Sequence, residues 1–174
     1  VRAAVQIALK RMRTDQITLL QFHAWRYADP RWLDCMFWLQ ELKDEGLIQH
    51  IGLTNVDTQH LRMLLHSGVE ILSNQVSFSL IDPRAHRQMK SFCHQNGVHL
   101  FAYGTVAGGF LSEKWVGAVD PKVEDLPTWS LMKYKRFIDQ SGGWDVFQAL
   151  IRVTVDIARK HDVSIANVAC RYVL

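Results

Sequence analysis

Apolar residues recur along this chain at two different spacings, and the spacing changes several times. Four runs of strand length are rich in apolar residues, and the first of them is almost continuously apolar, whereas the segments between them carry apolar residues three or four positions apart. The pattern therefore predicts strands that alternate with helices. The four predicted strands are Ile17–His23, Leu47–Leu53, Val69–Val76 and Val98–Tyr103.

Start and stop signals flank the helical segments. An aspartate precedes three of them, and in two cases a proline follows it at the start of the first helical turn. A glycine precedes three of the predicted strands, at Gly46, Gly68 and Gly97. Helices commonly end at a glycine in the left-handed conformation. The predicted helices are Val1–Arg13, Arg31–Glu45, the segment from Asp57 to Ser67, the segment from Asp82-Pro83 to Gln95, Trp144–Lys160 and, after Ser164, Ile165–Leu174.

The repeated βα order predicts an α/β fold built on a parallel sheet. Parallel strands are buried on both faces and are joined through crossover helices. No change of composition marks an internal boundary, so we expect residues 1–174 to form a single domain. A complete eight-stranded barrel typically needs about 250 residues, which is more than this chain provides.

Composition narrows the function classes. The 20 basic and 17 acidic residues are spread along the chain without a basic stripe, so we expect no nucleic-acid partner. No apolar stretch reaches the roughly 18 residues of a membrane span, and no membrane partner is expected. The chain has three cysteines, Cys35, Cys93 and Cys170, and their spacing matches no metal-binding or redox motif. An odd number of widely separated cysteines favours a reducing compartment, so we expect a cytoplasmic protein. The histidines form no metal-binding motif, so no metal site is predicted.

Hydrogen-bonding and stacking residues stand at the end of each predicted strand. They are His23, the pair Thr54 and Asn55, Gln75, and Tyr103. Each has a structural alternative: a satisfied histidine, a turn, or a tyrosine at the edge of a core. Because functional groups collect at the carboxyl ends of parallel strands, the four ends together indicate a site more strongly than any one of them.

Four stretches of the chain resemble the aldo/keto reductases, which are NADPH-dependent (β/α)8-barrel oxidoreductases. The stretches are LLQFHAW (19–25), LKDEGLIQHIGLTN (42–55), SNQVSFSLID (73–82) and HLFAYGTVAGGFLSEKW (99–115). They occur in the family's order and spacing. The resemblance implies a parallel (β/α) barrel of TIM type that is incomplete, with about four of eight strands, namely the fourth to the seventh.

The resemblance also implies roles for the residues at the strand ends. His23 matches the catalytic histidine, which hydrogen-bonds the substrate carbonyl oxygen and stabilises the negative charge that develops on it. Thr54 and Asn55 match the pair that binds the nicotinamide carboxamide, and Gln75 matches the companion amide. Tyr103 matches the aromatic residue whose ring stacks on the nicotinamide.

The glycine-rich loop after the fourth strand matches the family's pyrophosphate loop. The resemblance assigns cofactor contacts there to Gly104, Thr105, Val106, Gly108 and Gly109, with a positive charge from Lys114. Small residues and open backbone N–H groups let a backbone approach an anion closely. Without the resemblance the loop would be a weak signal, because it is neither a Rossmann fingerprint nor a P-loop.

Three members of the family's catalytic tetrad have no match in this chain. The family's general acid is a tyrosine whose pKa is tuned by a lysine and an aspartate, and all three belong to strands upstream of the helix at Val1. Tyr27, Tyr134 and Tyr172 do not match that tyrosine's position, and the residues that bind the 2′-phosphate fall beyond Leu174. Whether this chain alone is an enzyme therefore stays open.

Three functional readings follow. The first is an NADPH-dependent oxidoreductase that reduces small aldehydes or ketones, here in a truncated form of low or no activity. The alternative is a non-catalytic nicotinamide-binding module or partner subunit, and the third is a barrel remnant without a function of its own. Because an incomplete barrel has two unpaired strand edges, we expect the chain to self-associate or to fold poorly alone.

Overall fold

A computed structural model describes all residues from 1 to 174 and contains four strands and seven α-helices. The strands are β1 (Ile17–His23), β2 (Ile48–Thr54), β3 (Ile71–Ser77) and β4 (His99–Tyr103). The helices are α1 (Arg2–Met12), α2 (Arg31–Asp44), α3 (Thr58–His66), α4 (Gln88–Gln95), α5 (Trp129–Gln140), α6 (Gly143–Lys160) and α7 (Ile165–Val173). Short 3-10 turns occupy Arg84–His86, Ala107–Gly109, Glu113–Trp115 and Val123–Asp125. No helix is both long enough and apolar enough to span a membrane.

The four strands form one sheet in the order β1-β2-β3-β4. β1 pairs in parallel with β2, and β2 in parallel with β3. The register is regular along β1 and β2, whereas β2 and β3 shift between Ile51 and Gly52. The predicted α/β class with a four-stranded parallel sheet is confirmed.

The chain divides into two compact units. The first unit contains residues 1–76 and 88–101, and the second contains residues 77–87 and 102–174. In the first unit the fully buried side chains come from helices and strands that pack against one another: Met36 and Leu42 of α2, Ile48, Ile51 and Leu53 of β2, and Leu61 and Leu64 of α3. Burial of such side chains is the main favourable contribution to folding. The prediction of a single domain stays a prediction.

Aromatic rings form much of the core of the second unit. The ring centroids of Phe110 and Trp115 are 4.6 Å apart, and those of Trp144 and Phe147 are 5.0 Å apart. The indole of Trp144 also donates to the carbonyl oxygen of Ala118 at 2.9 Å, so its polar edge is satisfied. The loop after β4 is therefore joined to α6 by packing and by a hydrogen bond.

Most helix signals in the sequence are confirmed. Asp57 caps α3 by accepting from the backbone N–H groups of Gln59 and His60, each at 2.9 Å. Ser164 caps α7 in a capping box with Asn167. Gly46, Gly68 and Gly97 all have positive φ, as expected of residues that end helices.

The helix predicted from Asp82 to Gln95 is wrong in its first part. Both carboxylate oxygens of Asp82 accept from the Arg84 guanidinium, each at 2.7 Å, so the carboxylate does not cap a helix. A single 3-10 turn follows, Arg87 leaves the helical region with ψ of −107°, and α4 begins only at Gln88. An aspartate followed by a proline thus predicted a cap where a side-chain ion pair forms instead.

Candidate functional site

Three of the predicted site residues form one row across the sheet. His23 is the register partner of Thr54, and Thr54 is the register partner of Gln75. Side chains alternate between the two faces of a strand, so paired positions of neighbouring strands share a face. The imidazole, the hydroxyl and the carboxamide therefore lie side by side at the carboxyl ends of β1, β2 and β3.

Contacts around Gly52 establish which face this is. A Cβ added at Gly52 would lie 2.6 Å from Ser73 Oγ and 3.1 Å from Gln21 Cγ. Gln21, Gly52 and Ser73 each stand two residues before a member of the row, so they share its face. The opposite face carries Leu20 and Phe22, which pack against the apolar core of the first unit. The row thus belongs to the face of the sheet that is turned away from the first unit's helices.

The turn after β2 places Asn55 beside this row. Asn55 has φ of 58°, in the left-handed region that asparagine tolerates better than most residues. Its backbone N–H donates to the carbonyl oxygen of Gln75 at 2.8 Å. The turn is therefore tied to the end of β3, one residue after the register pair of Thr54 and Gln75.

Aromatic residues of the β1–α2 loop lie against the row. The rings of His23 and Trp25 meet edge to face with centroids 5.0 Å apart, and the Trp25 side chain is 92% exposed. The Tyr27 hydroxyl donates to the carbonyl oxygen of Thr54 at 3.4 Å, and burial raises the pKa of that phenol. The contact of Tyr27 with Thr54 joins residues 27 positions apart, so no local sequence pattern indicates it.

Tyr27 belongs to a small polar and aromatic cluster with Trp32, Asp57 and His60. The Tyr27 ring lies 5.1 Å from the rings of both Trp32 and His60. His60 Nδ1 is 2.6 Å from Asp57 Oδ2. Burial acts to raise the pKa of Asp57, but the hydrogen bonds from His60 outweigh it and the pKa is lowered. The cluster keeps the start of α3 and the loop after β1 in fixed positions.

Tyr103 and the glycine-rich loop belong to the second unit. Tyr103 is half-buried, its carbonyl oxygen accepts from the N–H of Phe78 at 3.2 Å, and the Lys133 ammonium lies 5.1 Å from its ring centroid. Such a cation is attracted to the negative face of an aromatic ring. The Tyr103 ring thus presents a face that already attracts positive charge.

Helix α5 packs closely on two glycines of the loop. A Cβ at Gly104 would collide with the Tyr134 phenol, and one at Gly108 would lie 2.7 Å from Tyr134 Cδ2 and 2.8 Å from Ser130 Oγ. Both glycines also have positive φ. Only Gly109 has nothing within 4 Å of the Cβ position. At Gly104 and Gly108 the absence of a side chain therefore allows α5 to pack against the loop. The sequence did not indicate this packing role.

Some backbone N–H groups of the glycine-rich loop form hydrogen bonds within its turns, and others do not. Ala107 donates to the carbonyl oxygen of Gly104 at 2.8 Å, and Gly109 donates to that of Val106 at 2.9 Å. The N–H groups of Thr105 and Val106 take no part in these turns. Lys114 lies in the turn Glu113–Trp115, is exposed, and holds its ammonium 5.1 Å from the Trp115 ring.

The predicted site residues thus fall into two groups. His23, Thr54, Asn55 and Gln75 belong to the first unit, and Tyr103, Gly104, Thr105, Val106, Gly108, Gly109 and Lys114 belong to the second. Within the first unit the structure brings all four together at the carboxyl ends of three parallel strands. No group of three or more histidine, cysteine, aspartate or glutamate side chains is arranged to hold a metal ion.

A polar row at the carboxyl ends of parallel strands is the site architecture of the (β/α) barrel class. Comparison with known proteins specifies the family within that class. The model of the aldo/keto reductase family matches residues 1–174, and the chain belongs to this family.

Individual relatives agree with this membership. The chain is 32% identical over 127 residues to flagellar radial spoke protein 5 of Chlamydomonas reinhardtii, covering 72% of this chain and 24% of the relative. It is 30% identical over 115 residues to the NADH-specific methylglyoxal reductase of Escherichia coli (strain K12), covering 64% of this chain and 35% of the relative.

A solved structure shares the fold over nearly the whole chain. The glycerol dehydrogenase of Gluconobacter oxydans superposes with a TM-score of 0.80 at 21% identity, covering 99% of this chain and 50% of that protein. The chain thus spans from 24% to 50% of the length of these three proteins.

Proposed function

We propose that this chain supplies the nicotinamide-binding and carbonyl-orienting part of an NADPH-dependent aldo/keto reductase that acts on small aldehydes or ketones. The observation that carries the proposal is the row of His23, Thr54 and Gln75 on one face of the sheet. An imidazole, a hydroxyl and a carboxamide at successive strand ends form a set of hydrogen-bonding groups that can bind a polar ligand.

The residues of the row have the chemistry that a nicotinamide requires. A carboxamide offers two N–H donors and a carbonyl acceptor, and the amides of Asn55 and Gln75 and the hydroxyl of Thr54 offer complementary groups. The ring of Tyr103 offers a flat surface on which a nicotinamide ring can stack. Thr105 and Val106 offer backbone amides to an anion. When bound, the cofactor supplies a hydride.

His23 has the role of orienting the substrate. Its imidazole is exposed at the end of β1, where an N–H donates to the carbonyl oxygen and stabilises negative charge that develops there. No tyrosine of the chain matches the family's general acid, and general acid catalysis contributes roughly 10² to 10⁴-fold to a rate. We therefore expect this chain by itself to turn over slowly or not at all.

The experiment that tests this proposal compares NADPH with NADH. The resemblance implies NADPH, whereas the name of the related methylglyoxal reductase specifies NADH for that enzyme. The fluorescence of each reduced cofactor is titrated with the protein. Oxidation of the same cofactor by a small reactive aldehyde is then followed.

Matched variants test whether the side chains of the row bind the cofactor. Thr54→Val and Gln75→Met keep the size of the side chain and remove the hydrogen-bonding group, and each is expected to weaken cofactor binding about tenfold, as for a lost hydrogen bond of ordinary strength. Gln59→Met, at an exposed position of α3, is the control and should bind like wild type. His23→Ala should bind the cofactor normally and lose any turnover. Equal binding by wild type and both row variants would contradict the proposal.

We also propose a reducing compartment such as the cytoplasm. Cys35, Cys93 and Cys170 are all free thiols, and burial raises the pKa of Cys93 to about 11, which keeps that thiol protonated and unreactive. Fractionation of cells that express the tagged full protein tests this location. Recovery from a secreted or membrane fraction would contradict it.

A further inference from the structure

The side chain of Asn74 forms a pair of hydrogen bonds with the backbone just after Asn55. Asn74 is fully buried in β3. Its Nδ2 donates to the carbonyl oxygen of Val56 at 2.8 Å, and the N–H of Val56 donates to its Oδ1 at 3.4 Å. A buried carboxamide therefore takes the place of a backbone partner for Val56 after β2 has ended.

Two adjacent residues of β3 consequently hold the turn on both sides of Asn55. Gln75 accepts from the N–H of Asn55 itself, and Asn74 holds both polar backbone groups of Val56. Between these anchors Asn55 has φ of 58°, in the left-handed region that asparagine tolerates better than most residues. The hydrogen bonds from β3 select this conformation from those that asparagine can adopt.

Contacts with α4 set the orientation of the Asn74 amide. Nδ2 also lies 3.7 Å from Sδ of Met89, which is buried and which the thiol of Cys93 approaches at 3.5 Å. Nδ2 thus has two acceptors, and Oδ1 has one donor. This assignment follows from the hydrogen-bond network and makes asparagine, not aspartate, the residue that suits the position.

We propose that Asn74, through its paired hydrogen bonds to Val56, is a positioning residue that holds Asn55 in the conformation that binds the nicotinamide carboxamide. This inference rests on the proposed function. It assigns a role to a residue that does not face the site, since Asn74 and Gln75 are neighbours in β3 and point to opposite faces of the sheet.

The test variant is Asn74→Asp. It keeps the size of the side chain and the acceptor for the N–H of Val56, but it turns an oxygen toward two acceptors. Asn96→Asp is the matched control, because the Asn96 amide also donates to one backbone carbonyl, that of Phe92, at 2.8 Å, in a different part of the fold. Three quantities are measured for each variant: NADPH affinity, the affinity for ADP-ribose as a fragment without nicotinamide, and amide hydrogen exchange in the cofactor-free protein.

The expected pattern is selective. Asn74→Asp lowers NADPH affinity about tenfold, as for one buried acceptor left without its donor, and changes the affinity for ADP-ribose less than twofold. It also accelerates exchange of the Val56 amide, whereas Asn96→Asp changes neither the affinities nor exchange at Val56. If Asn74→Asp does not fold, Met89→Leu, which keeps apolar volume and removes the sulfur acceptor, should give the same pattern at about two- to threefold.

Two results would overturn the inference. One is unchanged exchange at Val56, and the other is a parallel loss of affinity for NADPH and for ADP-ribose, which indicates general damage to the fold. Absence of NADPH binding by the wild-type chain would instead refute the proposed function, and with it the carboxamide role. Exchange at Val56 would still report whether Asn74 anchors the turn.

Discussion

The phenol of Tyr134 in α5 lies directly over Gly104, in the space that the Cβ of any other residue would need. Gly104 also has φ of 75°, in the left-handed region. Two independent constraints, the backbone conformation and the contact with Tyr134, therefore require glycine at the residue that follows Tyr103.

The first prediction concerns this contact. Gly104→Ala should lower the free energy of unfolding by about 2–4 kcal/mol, because left-handed strain and overpacking add. Gly117→Ala is the control, since Gly117 has a similar φ of 69° and nothing within 4 Å of its Cβ position. The control should lower the free energy of unfolding by only about 1–2 kcal/mol, because it introduces left-handed strain without a steric clash. Urea unfolding measures both, and equal losses would show that Tyr134 contributes nothing.

A second prediction concerns the small space between Gly52 and Ser73. The Ser73 hydroxyl is buried without a hydrogen-bond partner, and a Cβ at Gly52 would lie 2.6 Å from it. Gly52→Ala should therefore destabilise by about 1–3 kcal/mol. Ser73→Ala should be neutral or stabilising, because it removes an unsatisfied buried hydroxyl. The double variant should recover part of the loss, and strictly additive effects in thermal unfolding would contradict the predicted contact.

A third prediction concerns pH and the pair of Asp82 and Arg84. The Asp82 side chain is 7% exposed. Burial acts to raise the pKa of its carboxyl, and the hydrogen bonds from Arg84 outweigh burial and lower it below the ordinary 3.8. A lowered folded pKa means that the stabilisation is complete above pH 3.8 and is lost as pH falls through the folded pKa.

Two variants check the sign of that prediction. Asp82→Asn should be less stable than wild type above pH 3.8, and the difference should shrink in more acid solution. Arg84→Gln leaves the buried carboxylate without its partner, so burial then raises its pKa and acid should relieve part of the destabilisation. Stability curves for both variants that run parallel to wild type at every pH would show that the ion pair is not linked to folding.

A fourth prediction concerns the strand edges. β1 and β4 are the outer strands of the sheet, none of the residues of β4 is buried, and Phe101 is 38% exposed. An unpaired apolar edge is a template for another chain. We expect sedimentation velocity to show self-association that increases with concentration and that Phe101→Lys reduces. A wild-type chain that stays monomeric at every concentration, with a cooperative unfolding transition, would contradict this expectation.

Local signals in the sequence predicted most of the fold, and the error at Asp82 also arose from a local contact. Asp57 caps the first turn of α3, and Gly46 ends the helix before β2. Both roles depend on neighbouring residues only, so the sequence predicted them. The prediction at Asp82 used the same kind of signal as that at Asp57, a carboxylate before a helical segment, but the Asp82 carboxylate accepts from the Arg84 guanidinium.

The candidate site was predictable from motifs, but its supporting contacts were not. The resemblance selected His23, Thr54 and Gln75, whereas their alignment in one row depends on a register shift at Gly52 that no local pattern reports. Asn74 lies between two other polar residues, Ser73 and Gln75, so nothing in the sequence distinguished it as a supporting residue. Its partner Val56 lies 18 residues away, which only the folded structure reveals.

In the proposed function, the row at the ends of β1, β2 and β3 receives the nicotinamide end of the cofactor. The most direct measurement is a set of intermolecular nuclear Overhauser effects between the nicotinamide ring protons of NADPH and isotope-labelled protein. We predict contacts to Thr54, Asn55 and Gln75 that disappear in the Gln75→Met variant while its backbone spectrum stays folded. Nicotinamide contacts confined to other residues, or no contacts at saturating cofactor, would contradict the account.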